Sequence, residues 1–277
     1  MASENPPSPT IDPELYEHWD DEDDLRWKAP LEALMKGTQT PVRAAQIVDN
    51  IIRAETSKRL QKLIDYANSH NLTAEQRESG DWGGLPPPNA GPCAEQFFRP
   101  YCRMCAAFSP YSEVQNRLIE FLEELGNLPR WMAPESRPDE NGNVHHSEFW
   151  AFGYNWIGLE DEFRRHHASK SFSLLHHLMN PLFYYRDTAT YNRWRNYQHA
   201  MARITAGKFV YCAPWSALQD ILPPRKPTKK RTHAYDLFGA AQWVTWPNEC
   251  RYVYHECMKQ ETTDHYWRPW SKERWSH

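Results

Sequence analysis

The chain of 277 residues carries 32 Lys and Arg against 36 Asp and Glu, a formal net charge of -4, which excludes a general nucleic-acid binder and a broad polyanion-binding face. That length makes one large domain or two small ones, and although the hydrophobic fraction is only 40%, 13 Trp, 14 Tyr and 11 Phe carry enough burial for a globular fold.

From Met1 to Lys28 nine acids and two bases give a local charge of -7, so the rest of the chain sums to +3. Repulsion within that run, with Pro6, Pro7, Pro9 and Pro13 beside it, predicts a mobile acidic tail over residues 1–36. Tyr16, Trp19, Leu25 and Trp27 offer contacts by which the segment could dock on a protein partner or back on its own domain, but a plain solvated tail is the favoured reading. The start has no apolar stretch of the signal-peptide kind, and no later stretch approaches the ~20 apolar residues of a membrane span. The expected setting is therefore cytoplasmic, away from membranes, where the six cysteines stay reduced and the sequon Asn71-Leu72-Thr73 goes unglycosylated.

The body reads as helices. Thr40 can cap free amides and Pro41 gives up an amide that had no partner, after which Val42, Ala45, Val48, Ile52, Leu60, Leu63, Ile64 and Ala67 keep helical spacing; residues 41–68 form one or two helices. Gly80 to Pro92 is a loop by its Gly and Pro content, a place where subdomains could divide. Ser112 and Gln115 make an S-x-x-Q capping box, Val114, Leu118, Phe121, Leu122 and Leu125 a stripe, and Gly126 stands where a left-handed C-cap belongs. Residues 131–145, with Pro134, Pro138, Asn141 and Gly142, read as a surface loop, and helical spacing returns from Trp150 to His166.

Trp194, Tyr197, Met201 and Ile204 form the next stripe, closed by Gly207, and such aromatic stripes are core. Ala213-Pro214 opens a short helix in which Trp215, Leu218 and Leu222 share a face. Asp236 is placed to cap a helix through Ala240, Trp243 and Val244; Pro247 restarts it, and Cys250, Val253 or Tyr254, and Cys257 continue one face. Period-2 strands are scarce. The expected fold is all-α, an irregular multi-helix bundle in a single domain over residues 37–262, with a C-terminal tail at 263–277.

Four blocks, Val114 to Pro129, Trp150 to Arg164, Trp194 to Leu222 and Ala240 to Glu256, together resemble the fungal family catalogued as domain of unknown function 3632. The resemblance spans roughly Val42 to Glu261, with Trp194-x-Asn196 followed by Ala202-Arg203-Ile204 as its strongest piece. It implies a helical, soluble fungal protein, in some cases linked to secondary metabolism, with no assigned activity and no catalytic residues to carry over. The basic run at Arg225 to Arg231 and Pro247 depart from the family pattern.

Chemistry-bearing constellations are sparse. Cys102-x-x-Cys105, with Cys93, lacks the second spaced pair of a zinc site, and buried thiols are the expected role. The doublets His145-His146, His166-His167 and His176-His177 each offer one ligand at most, because neighbours on a helix point about 100° apart. Glu160, Asp161 and Glu162 are read as a solvated helix face paired with arginines. No nucleophile elbow, phosphate loop or dinucleotide fingerprint occurs, so no catalytic residue, metal or cofactor is expected. Arg225, Lys226, Lys229, Lys230 and Arg231 form a basic cluster that is either an import signal, which would make the protein nuclear, or a solvated loop; without interleaved aromatics it is no nucleic-acid platform.

The function expected from these features is a non-enzymatic interaction or accessory protein of a fungal cell, its partner unknown. The alternative is an enzyme or small-molecule binder of fungal secondary metabolism whose pocket or partner surface uses Trp150, Trp156, Glu160, Trp194, Asn196 and Trp215.

Overall fold

The acidic run at residues 20–24 starts a helix rather than a tail. A computed structural model of the chain describes residues 11–149, 188–207, 234–259 and 271–276. In it, α1 spans Glu22–Lys36. The Asp21 carboxylate accepts from the Asp24 amide at 2.9 Å and Asp24 returns the bond to the Asp21 amide at 3.3 Å, a reciprocal cap. Glu22, Asp23 and Asp24 sit in the first turn, where the helix dipole favours negative charge, and Trp27, Leu31 and Leu34 are buried. The expectation of a mobile tail to residue 36 is corrected for this stretch: charges that repel one another in a coil are stabilised at a helix N-terminus, and an apolar stripe follows them. Residues 1–10 lie outside the described residues.

Helix α2, Pro41–Ser69, is one unbroken element, its Thr40 hydroxyl accepting from the Arg43 amide at 3.3 Å with Pro41 in the first turn. It packs against α1. A short α3, Ala74–Ser79, follows, and its successor loop folds back so that Trp82 joins Leu63 and Ala67 in a buried cluster. Gly83 is required there, because its φ of +57° is left-handed and a Cβ would meet the Tyr66 ring at 2.7 Å. The loop is shorter than the Gly and Pro content predicts: α4, Ala90–Ala107, begins inside it. Asn89 Oδ1 accepts from the Gly91 amide at 2.8 Å, and Pro92 in the first turn lacks an amide the helix does not use.

Helix α5 spans Glu113–Asn127. Its Phe121 ring lies 5.3 Å from Phe97 and 6.0 Å from Tyr101. Gly126 is not the left-handed cap expected of it; the turn closes one residue later, where the Leu128 amide bonds the Leu125 carbonyl at 3.4 Å. The expected surface loop at 131–145 is likewise corrected at its start. Strand β1, Trp131–Pro134, pairs antiparallel with β2, His146–Phe149, in the register Trp131 with Phe149 and Pro134 with His146. The Trp131 and Phe149 rings meet at 5.4 Å, and Trp131 Nε1 donates to Asp49 Oδ1 of α2 at 3.3 Å. That cross-strand pair and the anchor on α2 hold two strands too short to stand alone.

Helix α6, Thr188–Ala206, buries Trp194, Tyr197, Met201 and Ile204 as predicted, and the Gly207 amide closes it on the Arg203 carbonyl at 2.8 Å. Helix α7, Ala234–Ala241, takes Asp236 inside rather than as its cap, because the helix begins two residues earlier. Helix α8, Pro247–Met258, does restart at Pro247, burying Val253 and Cys257 while Tyr254 stays exposed. Both pack on α6. In the expected C-terminal tail a single turn, α9 at Lys272–Trp275, packs on α8.

The residues gather into two compact units, one of 1–15, 102–119 and 172–277, the other of 16–101 and 120–171. Among the described residues the chain is helical apart from the hairpin, an all-α multi-helix protein. No helix among them is long and apolar enough to cross a membrane.

Candidate functional site

The first turn of α5 diverts one side chain into the interior. Ser112 caps the helix as the sequence predicts, its hydroxyl accepting from the Gln115 amide at 3.3 Å. The other half of the capping box is not made. The Gln115 side chain is fully buried, with Nε2 donating to the Phe108 and Asn196 carbonyls at 3.3 Å each. Its Oε1 accepts from the Tyr111 amide at 3.2 Å, from His199 Nδ1 at 2.7 Å and from Arg203 at 3.4 Å. Both amide hydrogens and both lone pairs are thereby used.

This pattern assigns the state of His199. Two carbonyls can only accept, so the Gln115 nitrogen must face them and its oxygen must face His199. Nδ1 of His199 therefore carries the hydrogen, and Nε2 presents a lone pair. The ring is fully buried on α6, and Nε2 has no hydrogen-bond partner among the described residues. Burial, and then the charges of Arg203 and Arg195, push the imidazole down to about 3, so it is neutral throughout the physiological range.

Aromatic rings enclose it. Tyr111 and Trp246 lie 4.8 and 5.3 Å from His199, edge-on, and 4.8 Å from each other. Tyr111 has a φ of +56°, a strained conformation for a residue with a bulky side chain. It is held there at both backbone groups: its amide by Gln115 and its carbonyl by Asn116 Nδ2 at 3.3 Å. Arg203 stacks over the Tyr111 ring at 4.6 Å and donates to Asn116 Oδ1 at 2.8 Å. The Tyr111 hydroxyl donates to the Glu249 carboxylate, with the two oxygens at 3.2 and 3.3 Å. Burial, with the Glu249 charge beside it, raises that hydroxyl above the ordinary phenol range. Chemically the arrangement fastens α5 to α6 and α8 and holds between the Tyr111 and Trp246 rings a neutral imidazole whose lone pair is unpartnered among the described residues.

Of the residues singled out from sequence, the structure describes Trp194 and Asn196. Asn196 belongs to the cluster: its carbonyl takes Gln115, and its Nδ2 donates to the Ala106 carbonyl at 3.2 Å. Trp194 is 6% exposed, and its indole lies against Gly239 of α7, where a Cβ would contact Nε1 and come within 3.1 Å of Cδ1. Trp150, Trp156, Glu160 and Trp215, and the basic cluster Arg225, Lys226, Lys229, Lys230 and Arg231, lie outside the described residues. Cys93, Cys102 and Cys105 are buried on α4, and burial raises the Cys93 thiol above its usual range. His145 and His146 are exposed at the hairpin, and among the described residues no three His, Cys, Asp or Glu side chains are grouped to hold a metal.

Tyr111, Gln115, His199, Arg203, Trp246 and Glu249 are not among the sequence candidates. Helical spacing alone does not single them out. Asn196, His199 and Arg203 do keep helical spacing, but opposite the apolar stripe of Trp194, Tyr197, Met201 and Ile204, and so read by themselves as the solvent face of an amphipathic helix.

Residues 101–277 match the family model described as "Protein of unknown function (DUF3632)". No curated protein and no solved structure matches the chain.

Proposed function

The chain belongs to the DUF3632 family of proteins of unknown function, and we propose that it serves as a non-enzymatic interaction or accessory protein. One observation carries this reading. On α7 the adjacent Leu237 and Phe238 are 46% and 60% exposed, while Gly239 and Ala240 beside them face inward. An exposed pair of large apolar side chains on a helix is a natural contact for a protein partner. The polar groups around Gln115 are turned to internal fastening, which leaves the outer face of α7 to recognition. The resemblance supports a fungal cell as the setting, with the cytoplasm as the location and the nucleus as the alternative; the acidic N-terminal segment is a second proposed contact.

Native mass spectrometry of the chain purified from its own host tests this. A protein complex is expected, lost when Leu237 and Phe238 are both changed to Ser and retained when His199 is changed to Phe. A chain that travels alone, unchanged by the Leu237→Ser/Phe238→Ser pair, overturns it.

A second reading, an enzyme or small-molecule binder of secondary metabolism, is favoured by the His199 lone pair between Tyr111 and Trp246. In the same spectra it predicts a retained small mass that disappears in His199→Phe and survives the α7 changes.

A further inference from the structure

On α2, Glu55, Arg59 and Lys62 follow one another at intervals of four and three, so all three project from one face of the helix toward the loop after α3. Leu85 and Pro86 of that loop stand opposite, and the space between is a cleft of about 190 Å³. The wall is fixed from both sides. Leu85 donates its amide to the Trp82 carbonyl at 3.0 Å, its own carbonyl accepts from Arg137 at 2.8 Å, and its side chain packs on the Leu63, Ala67 and Trp82 cluster. The cleft therefore needs little reorganisation to receive a ligand.

The charges inside it are unequal. Glu55 is already matched: Arg26 donates to one carboxylate oxygen at 3.1 Å, Arg59 Nε to the other at 3.3 Å, and Lys58 lies 3.9 Å away. Asp23 is shared between Arg26 and Lys58, each at 3.7 Å. Of the charged side chains that line the cleft, Arg59 and Lys62 face Glu55 alone, a net charge of +1 on a chain whose overall charge is -4. Arg59 spends only Nε on Glu55, leaving its two terminal amino groups without a hydrogen bond among the described residues, and Lys62 has no ion-pair partner among them. A guanidinium fork and an ammonium on neighbouring turns, both available, make a donor set for the oxygens of a carboxylate or phosphate.

We propose that this cleft binds a small organic anion, its carboxylate or phosphate held by Arg59 and Lys62 and its apolar body laid against Leu85 and Pro86. The volume is below the ~300 to 1,000 Å³ of drug-sized sites, which sets the occupant as a compact metabolite. The lining residues precede the span that matches the family model, and the site is independent of the cluster around His199.

Isothermal titration of the full chain at low ionic strength with phenyl phosphate and with benzoate tests the proposal, and the preferred one of the two tells a phosphate ligand from a carboxylate one. Benzylamine is the probe of opposite charge, and inorganic phosphate is the probe without an apolar body. The expected result is one-to-one binding of at least one aromatic anion, weakened about tenfold by Arg59→Gln and by Lys62→Gln. Lys62 is exposed, so Lys62→Gln keeps the test decisive if the Arg59 variant folds poorly. Absence of saturable binding by both aromatic anions, tighter binding of benzylamine, unchanged affinity in Lys62→Gln, or inorganic phosphate binding as tightly as phenyl phosphate would each overturn it.

Discussion

Gln115→Leu removes the hub of the buried cluster while keeping its volume. The Asn196 carbonyl lies inside α6 and Arg203 keeps Asn116 at 2.8 Å, while the Phe108 carbonyl, just past the end of α4, loses its Gln115 donor. Two donors lose their acceptor: the Tyr111 amide at 3.2 Å and His199 Nδ1 at 2.7 Å. A buried donor left unpaired costs about 1 to 3 kcal/mol, so the loss is about 2 to 5 kcal/mol after the small gain from an apolar side chain. At ~2 to 4 °C per kcal/mol for a chain of this size, the melting temperature falls by roughly 5 to 20 °C. Thermal unfolding followed by far-ultraviolet circular dichroism reads this directly. Gln115→Glu adds a test of orientation, since it keeps the acceptor toward His199 and replaces the donor facing two carbonyls by a second acceptor; it also melts below the parent. A Gln115→Leu variant within ~2 °C of the parent refutes the integration of Gln115. A Gln115→Glu variant as stable as the parent reverses the amide and with it the tautomer of His199.

His199 makes stability pH-dependent. With its pKa pushed down from 6.5 to about 3 by burial and the nearby arginines, the unfolded chain binds a proton in that window that the native chain does not. Its contribution is therefore complete above the unfolded value and falls as pH drops toward 3, with a slope of up to about 1.4 kcal/mol per pH unit. Urea unfolding between about pH 6.5 and 4.5 shows a shallower slope for His199→Phe, and identical slopes exclude the assignment. Gly239→Ala drives a methyl into the Trp194 indole and costs about 1 to 3 kcal/mol in the parent but little in a Trp194→Ala background, a coupling that a double-mutant cycle measures; additive effects would separate α7 from Trp194. Changing Arg225, Lys226, Lys229, Lys230 and Arg231 together to Ser leaves the melting temperature nearly unchanged, and it moves a fluorescent fusion from nucleus to cytoplasm if import uses this cluster. A large thermal loss contradicts a solvated loop, and an unmoved fusion contradicts import.

Whether residues 41–68 form one helix or two was not legible in the sequence, but the all-α class, the start and apolar face of α2, the core stripe of α6 and the restart at Pro247 were. Each is encoded within a few neighbouring residues: Thr40-Pro41 caps a turn it adjoins, and Trp194, Tyr197, Met201 and Ile204 share a face whatever they pack against. Reading charge as repulsion alone hid α1, whose acids are placed by a helix end that does not exist until the helix forms. The hairpin was hidden for a different reason. Four residues ending in Pro134 carry no alternation, and Trp131 becomes a strand residue only when Phe149 pairs with it and Asp49 accepts its indole. Gln115 shows the limit most clearly. Its local sequence says capping box, and Ser112 obeys, but beside local bonds to Phe108 and Tyr111 the glutamine's side chain bonds Asn196, His199 and Arg203, 81 to 88 residues further along the chain. Short-range spacing determines which face of a helix is apolar; which polar groups meet on burial depends on the helix that arrives opposite, and only the tertiary structure decides that, because a buried amide takes whichever partners satisfy it.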